Sequence, residues 1–228
     1  MSCIAIITAR GGSKRIPRKN IKDFCGKPII AYSIEAAISS GVFDEVMVST
    51  DDEEIAEIAR FYNAEVPFMR SEITSNDYAT TVDVLLEVLD AYKQIGKQFD
   101  ELCCIYPTAP FITSDRLKEA YDKFNVNKVD SLIPVVEFSY PPLRGFSIEE
   151  DKLKYKWPEY EKSRSQDLEK IYHDSGQFYF VKTGALLANK SLIGDECVPY
   201  ILSDMEVQDI DTETDWQLAE LKYQLINK

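Results

Sequence analysis

The chain has 228 residues, 45% of them hydrophobic and 29% charged, enough for one large α/β domain with a substantial core. A formal charge of −13 argues against a nucleic-acid-binding role, for which a basic domain is the usual mark. No apolar run is long enough to span a membrane, and the N-terminal one is too short and lacks the basic flank of a secretory signal, so a cytoplasmic location is expected.

Cys3–Thr8 is an apolar run that suits a buried strand. It leads into Ala9–Asn20, A-R-G-G-S-K-R-I-P-R-K-N, which holds Arg10, Lys14, Arg15, Arg18 and Lys19 and meets no acid until Asp23. A dense basic loop in an acidic chain needs a reason. Gly11 and Gly12 allow a tight turn and a close approach of a ligand to the backbone. A strand that runs into a Gly-rich, Lys/Arg-rich loop is a place to hold phosphates. Two better-known phosphate motifs, G-x-x-x-x-G-K-[ST] and G-x-G-x-x-G, are absent from this position. The bland reading is a solvated basic loop. A locally positive pocket in a negative protein fits a small polyanion better.

Pro28 opens a helix expected over Ile29–Ser40, with Gly41 as its stop, and Glu45–Ser49 reads as a strand. Thr50-Asp51-Asp52-Glu53 has the spacing of a capping box, with Ile55, Ile58, Ala59 and Tyr62 following at helical period. A strand is expected over Ala64–Met69, a long helix over Thr80–Gly96 and a buried strand over Leu102–Tyr106. Ser114 is expected to cap a helix with Leu117, Ala120, Tyr121 and Phe124 on one face, and Asp130–Val136 reads as a strand. Thr212 is the expected cap of a last helix over Glu213–Ile226. Repeated strand–helix units imply an α/β fold with a mostly parallel sheet and right-handed crossovers. The pattern breaks between Glu137 and Asp174, where Pro141-Pro142, charged residues and Tyr155, Trp157 and Tyr160 show no clean period. This stretch, about 137–174, reads as an insertion within a single domain spanning 1–228. Its aromatics either pack under a local flap or form an interface, and the interface is the favoured reading because the segment is too small to bury them alone.

Cys3, Cys25, Cys103, Cys104 and Cys197 are scattered, with no C-x-x-C, and support neither a zinc site nor a disulfide framework. The only histidine, His173, has Asp174 and Ser175 too close in sequence for a Ser-His-Asp triad to be assigned. In Val207–Asp211, V-Q-D-I-D, an extended backbone points Asp209 and Asp211 the same way, with Cα atoms roughly 6–7 Å apart. Two such carboxylates can hold Mg²⁺ while phosphate oxygens fill its other positions. The alternative is a helix approach, with Asp211 a negative residue ahead of the Thr212 cap. With the basic loop, the pair makes a coherent site of cations and Mg²⁺ around a triphosphate.

The opening A-R-G-G-S-K-R-I-P-R-K-N, S-T-D-D at Ser49–Asp52, R-S-E-I-T-S-N-D at Arg70–Asp77, P-T-A-P at Pro107–Pro110 and D-I-D-T at Asp209–Thr212 follow one another in a familiar order. Together they resemble the CMP-sialic acid synthetases, the sugar-activating cytidylyltransferases, over nearly the whole chain. The runs Ile105–Phe111 and Tyr172–Tyr179 are most similar to the branch that acts on pseudaminic acid. Tyr106 stands where members acting on N-acetylneuraminate usually carry Gln.

The resemblance implies a doubly wound, Rossmann-like sheet of the nucleotide-diphospho-sugar transferase kind. It implies the reaction CTP + nonulosonic acid → CMP-sugar + pyrophosphate, with Mg²⁺ as cofactor. N-Acetylneuraminate, legionaminate or KDO is the alternative sugar, and a nucleotide-binding protein without turnover is the alternative of another class. By the resemblance, Arg10 and Lys19 contact the triphosphate, and Ala9, Gly11, Asn20, Arg70 and Thr81 complete the CTP site. Thr81 replaces a Ser of the family and keeps the hydroxyl. Asp209 and Asp211 bind Mg²⁺, and Asp211 is counted with Arg10 and Lys19 as catalytic. Tyr106, Gln177 and Tyr179 line the sugar pocket, with Arg144 and Arg164 for the sugar carboxylate. The family's insertion forms a homodimer interface and reaches the neighbour's site.

Overall fold

Strand β1 (Cys3–Thr8) sends Cys3, Ala5 and Ile7 to one face of a sheet and Ile4 and Ile6 to the other. All five are buried in this computed structural model, which describes residues 1–227. A strand covered on both faces gains nothing from polar alternation, hence its unbroken apolar sequence. Beyond the basic loop lie a two-strand ribbon, β2 (Asp23–Phe24) and β3 (Lys27–Pro28), then helix α1 (Ile29–Ser40) and β4 (Glu45–Ser49). Helices α2 (Glu53–Phe61), α3 (Glu72–Ser75) and α4 (Thr81–Gln94) lead to β5 (Glu101–Ile105), α5 (Ser114–Asn127) and β6 (Ser131–Glu137). An excursion follows, carrying the hairpin β7 (Phe146–Glu149) and β8 (Lys152–Tyr155). The chain returns through β9 (Tyr172–Asp174) and β10 (Phe178–Lys182), and ends with α6 (Thr183–Asn189), β11 (Cys197–Leu202) and α7 (Glu213–Ile226).

The central sheet has the order β11-β6-β10-β5-β1-β4, with β9 joined to β6. Strands β4, β1 and β5 are parallel, as are β6 and β11, while β9 and β10 run antiparallel to their neighbours. The mostly parallel sheet expected from the sequence is present; its antiparallel strands were not foreseen. From β1 the chain steps outward to β4, then returns to place β5 on the other side of β1. The reversal falls between β1 and β5, and the crevice beyond the C-terminal ends of such strands is where open α/β sheets bind ligands.

One face of the sheet packs against α1, α2 and α5, and the other against α4 and α6. A third cluster, with Ile16, Phe24, Ile210 and Trp216, seats α7 against the start of α1. Several ends differ from expectation. Asp52, not Thr50, caps α2: its carboxylate accepts from the Ile55 amide at 3.0 Å, while the buried Thr50 hydroxyl accepts from the Asp52 amide at 3.2 Å. Thr113 rather than Ser114 caps α5. The strand expected over Ala64–Met69 reduces to one bridge, Met47 to Glu65, because this segment only brushes the sheet edge. The expected insertion is trimmed at both ends: Glu137 belongs to β6 and pairs with Tyr172 of β9, so the excursion spans 138–171. Within it Trp157 lies over Gly145 and the Phe146 and Tyr155 rings stand 4.6 Å apart, while Phe146, Ile148 and Leu153 are exposed. No helix among the described residues is long and apolar enough to cross a membrane.

Candidate active site

The loops after β1, β4, β5, β6 and β11 leave the same edge of the sheet, so distant stretches of chain converge there. Tyr106, the residue after β5, stands at the centre. On one side a pocket of about 310 Å³ is lined by Arg10, Lys14, Arg15, Lys19 and Asn20. It adjoins a pocket of about 200 Å³ that shares Thr8 and Arg10 and adds Arg70 and Thr81. On the other side of Tyr106 a cleft of about 590 Å³ is bounded by Asp174, Tyr179, Asp209 and Lys222.

The cations of the first pocket are held by acids. Arg10 reaches Asp77 at 2.9 Å and Lys14 binds the same carboxylate. Arg15 pairs with Asp211 at 2.8 Å, and Lys19 lies 3.7 Å from it. Lys19 also donates to the Ile210 carbonyl at 2.6 Å, tying the basic loop to the D-I-D segment. Asp77 is pulled below the usual carboxylate range, first by its bond from Lys14. Arg18 clamps Asp52 and Glu54, which fixes the loop against the start of α2.

Gly11 and Gly12 work differently from expectation. Neither has a positive φ; Gly11 is needed because a Cβ there would sit 2.7 Å from Asp52 Oδ2, whereas Gly12 faces open space. The Gly11 amide is spent on Asp51 Oδ1 at 2.9 Å and the Ala9 amide on the Ser49 carbonyl at 2.9 Å. These two amides are therefore not free for a ligand, and the loop brings its charge through its side chains. Ala9 is wholly buried. Asn20 is buried too and donates to the Arg10 carbonyl at 2.8 Å, which shapes the loop from within. Arg70 is also buried, bonding Ser49 Oγ at 3.0 Å and the Ser49 carbonyl at 2.5 Å, and burial lowers its pKa. Thr81, in the first turn of α4, has its hydroxyl 3.3 Å from that of Tyr106.

Residues 207–211 are irregular chain, yet they alternate as an extended segment does: Ile210 is buried, while Asp209 lines the cleft and Asp211 meets the basic loop. The Asp209 carboxylate has no hydrogen-bond or ion-pair partner among the described residues. Burial, and then the neighbouring Asp211, raise its pKa. A carboxylate disfavoured in its charged form by a second carboxylate is suited to a hard cation. The described residues offer no group of three or more His, Cys, Asp or Glu for a metal. Any ion held here would thus need oxygens from elsewhere, which the phosphates of a nucleotide supply.

Tyr179 lines the cleft and donates its hydroxyl to Asp174, with both carboxylate oxygens at 2.9 Å; its ring lies 5.4 Å from that of Tyr106. Burial raises the pKa of both phenols. Gln177 does not line the cleft. It is buried in the break between β9 and β10, and its Nε2 donates to the Glu206 carbonyl at 2.5 Å, holding the turn ahead of Asp209. Arg144 and Arg164 are not at the cleft either: they stay on the excursion, at Ser165 and Asp167 respectively. Asp174, Asp77 and Lys222 escaped the sequence reading. Asp174 lies within the Tyr172–Tyr179 run and Asp77 closes the Arg70–Asp77 motif, though neither was assigned a role, whereas Lys222 carries no local signal that separates it from other surface charges.

The family model described as cytidylyltransferase matches residues 4–207. The chain belongs to the cytidylyltransferase family. The match stops two residues short of Asp209. Within the family, the chain is 45% identical over 226 residues to a pseudaminic acid cytidylyltransferase of Campylobacter jejuni, covering 99% of this chain and 97% of that one. It is 34% identical to a CMP-N,N'-diacetyllegionaminic acid synthase of Legionella pneumophila, covering 96% and 95%. Among solved structures, a CMP-2-keto-3-deoxy-manno-octonic acid synthetase complexed with CTP aligns with a TM-score of 0.71 at 16% identity, covering 100% of this chain and 99% of that one. At that identity the likeness is one of fold, and it agrees with the doubly wound sheet.

Proposed function

We propose that this cytidylyltransferase transfers the CMP moiety of CTP to a nonulosonic acid, pseudaminic acid, and releases pyrophosphate. The observation that carries the reading is one cleft in which a pocket of four cations and a pocket bearing Asp209, Asp174 and Tyr179 meet at Tyr106. The Campylobacter relative's name supplies the sugar, and Tyr106 gives it a physical basis: a phenol ring is a more apolar wall than an amide. Pseudaminic acid ends in a methyl where N-acetylneuraminate has a hydroxymethyl.

The sugar's anomeric hydroxyl attacks the α-phosphorus in line with the departing pyrophosphate, and such transfers depend on positioning and charge neutralisation. Arg10 and Lys19 take the phosphate oxygens in exchange for Asp77 and Asp211; the arginine is able to do so bidentately. Asp209 and Asp211 would hold Mg²⁺, whose chemistry there is to neutralise phosphate charge and acidify the attacking hydroxyl. Lys19, through the Ile210 carbonyl, keeps the carboxylates in register with the phosphate loop. Tyr106 separates nucleotide from sugar. The protein works as a cytoplasmic homodimer, with Phe146, Ile148 and Leu153 of the excursion covered by a second copy.

The deciding experiment is pyrophosphate release with CTP, Mg²⁺ and a panel of pseudaminic, legionaminic, N-acetylneuraminic and 3-deoxy-manno-octulosonic acids. Turnover with pseudaminic acid at the highest kcat/KM is expected. Preference for another sugar would move the assignment within the family, and CTP binding without release from any of them would leave a nucleotide-binding protein. Light scattering at micromolar concentration tests the dimer, and a clean monomer with full activity would refute it.

A further inference from the structure

Lys222, from the outer half of α7, borders the same cleft as Asp209 and Tyr179. Its ammonium donates to the Asp204 carbonyl at 2.9 Å and the Val207 carbonyl at 2.7 Å. An ammonium has three protons to donate, so one is left over. No carboxylate of a described residue forms an ion pair with Lys222, unlike the other cations at the cleft: Arg10 and Lys14 have Asp77, and Arg15 and Lys19 have Asp211. The Asp204 carboxylate accepts instead from the Ser139 hydroxyl at 3.1 Å. Lys222 is half-buried, and burial lowers its pKa. Asp204 attracts the ammonium through space and partly offsets the effect of burial, but a half-buried cation bonded only to carbonyls still has room for an anion.

A second unpaired group borders the same cleft. The Ser175 hydroxyl is buried without any hydrogen-bond partner, and Ser175 lines the cleft in the break between β9 and β10. A buried hydroxyl without a partner is costly unless a ligand completes it. We propose that Lys222, which shares the cleft with Ser175, receives the carboxylate of the acceptor sugar, an assignment that rests on the function proposed above. Chemistry places that carboxylate here. In a nonulosonic acid it is bonded to the anomeric carbon, next to the hydroxyl that attacks phosphorus. It must therefore lie close to Asp209, which borders this cleft with Lys222. The two arginines implied for the role by family resemblance, Arg144 and Arg164, do not reach the cleft of their own chain.

The competing role for Lys222 is purely to tie down the turn that precedes Asp209. The test compares wild type with Lys222→Gln, using the free sugar acid and its methyl ester as competing ligands in the presence of CTP and Mg²⁺. Wild type is expected to hold the acid about ten- to a hundredfold more tightly than the ester, the range for losing one charged hydrogen bond. Lys222→Gln should bind acid and ester alike, with the KM for the acid raised by the same factor and the KM for CTP within twofold. Lys222→Met, which keeps the aliphatic stem, serves if the Gln variant does not fold, and Ser175→Ala should give a smaller shift in the same sense. Undiminished preference for the acid in the Lys222 variants would overturn the assignment and hand the carboxylate to another cation, such as Arg144 or Arg164 of a second copy. Loss of CTP and sugar binding together would show a turn-holding role and overturn it equally. A wild-type enzyme that turns over no acidic sugar at all, yet accepts neutral ones, would instead overturn the functional reading beneath it.

Discussion

The two ends of the cleft are prepared in opposite ways. At the phosphate end, the cations Arg10, Lys14, Arg15 and Lys19 have carboxylates as partners before any ligand arrives. At the sugar end, Asp209, Lys222 and Ser175 have unmet hydrogen-bonding or charge capacity. Ion pairs between solvent-reached side chains are worth about 0–1 kcal/mol each, so a triphosphate displaces Asp77 and Asp211 cheaply and finds cations already gathered. The sugar end has no such stand-ins, and selectivity follows from leaving groups that only one arrangement of ligand atoms completes. The phosphate end is a holding device and the sugar end is a reader.

Removing the carboxylates that join the two ends should have the largest effect. Asp209→Ala and Asp211→Ala are each expected to lower kcat by roughly 10³-fold or more, since metal-assisted charge stabilisation is worth several kcal/mol. They should differ in CTP affinity. Asp211→Ala frees Arg15 and Lys19, so its KM for CTP should not rise, whereas Asp209→Ala frees no cation. Pyrophosphate release over a Mg²⁺ titration reads both quantities. Ordinary activity in either variant at ordinary Mg²⁺ would remove the metal role and with it the bridge between the two ends.

Next come the cations. Arg10→Ala and Lys19→Ala should each lose about 10²–10³ in kcat, the range for deleting one preorganised transition-state contact. The contrast is Asp77→Asn, which releases Arg10 and Lys14 from their partner and should change kcat less than about tenfold. If Asp77→Asn were as damaging as Arg10→Ala, the acids would be structural struts rather than stand-ins for phosphate. A change confined to KM in the Lys19 variant would mark its contact as uniform binding.

The same contrast governs how much could be read from the chain alone. The phosphate end lies mostly in one stretch, Ala9–Asn20, so its charge and its preceding strand β1 announce themselves locally. Helix α1 from Ile29 to Ser40, between Pro28 and Gly41, and α7 behind its Thr212 cap, were equally local, since the residues that start or stop each one adjoin it in sequence. The sugar end is assembled from β5, the β9–β10 break, the turn after β11 and the side of α7, and no single window contains it. Strand β9 is exposed along its length and β11 is interrupted by exposed residues, so neither shows a burial period, and the antiparallel course of β10 is a pairing choice invisible to periodicity. Gln177 and Lys222 hold backbone atoms of 204–207, contacts that only folding creates.

Tyr106 sits where the two ends meet, and replacing it should alter the reader without disabling the holder. Tyr106→Gln is expected to move the ratio of kcat/KM for pseudaminic acid over N-acetylneuraminate by roughly ten- to a hundredfold toward the latter. That is the value of one buried polar group gaining or losing its partner. The KM for CTP should shift little, although the 3.3 Å contact with the Thr81 hydroxyl is lost or remade by the amide. Parallel rate measurements with the two sugars decide it. An unchanged ratio would place the reading of the sugar's tail elsewhere on the cleft wall.

The smallest effect expected is one of stability, and it probes what keeps the phosphate loop in place. Arg18 bonds the Asp52 carboxylate, which in turn caps α2 through the Ile55 amide at 3.0 Å and lies against Gly11. The bond from Arg18, followed by the cap, holds the Asp52 pKa below its ordinary value despite some burial. A carboxyl with a depressed folded-state pKa contributes stability that is complete above the unfolded value of about 3.9 and is lost as pH falls through the folded value. Asp52→Asn keeps a good capping side chain and removes the charge, so the cap survives and the pairing with Arg18 does not. With 40% of the Arg18 side chain and 22% of the Asp52 side chain exposed, solvent screening reduces the difference to about 0.5–1 kcal/mol at neutral pH. Urea unfolding at pH 7 should show this deficit, at low salt more than at high. At a pH below the folded-state value the variant and the wild type should converge. A deficit that persists undiminished in acid would mean that Asp52 supports the loop by shape and hydrogen bonding alone, and that the basic loop is not electrostatically anchored at this end.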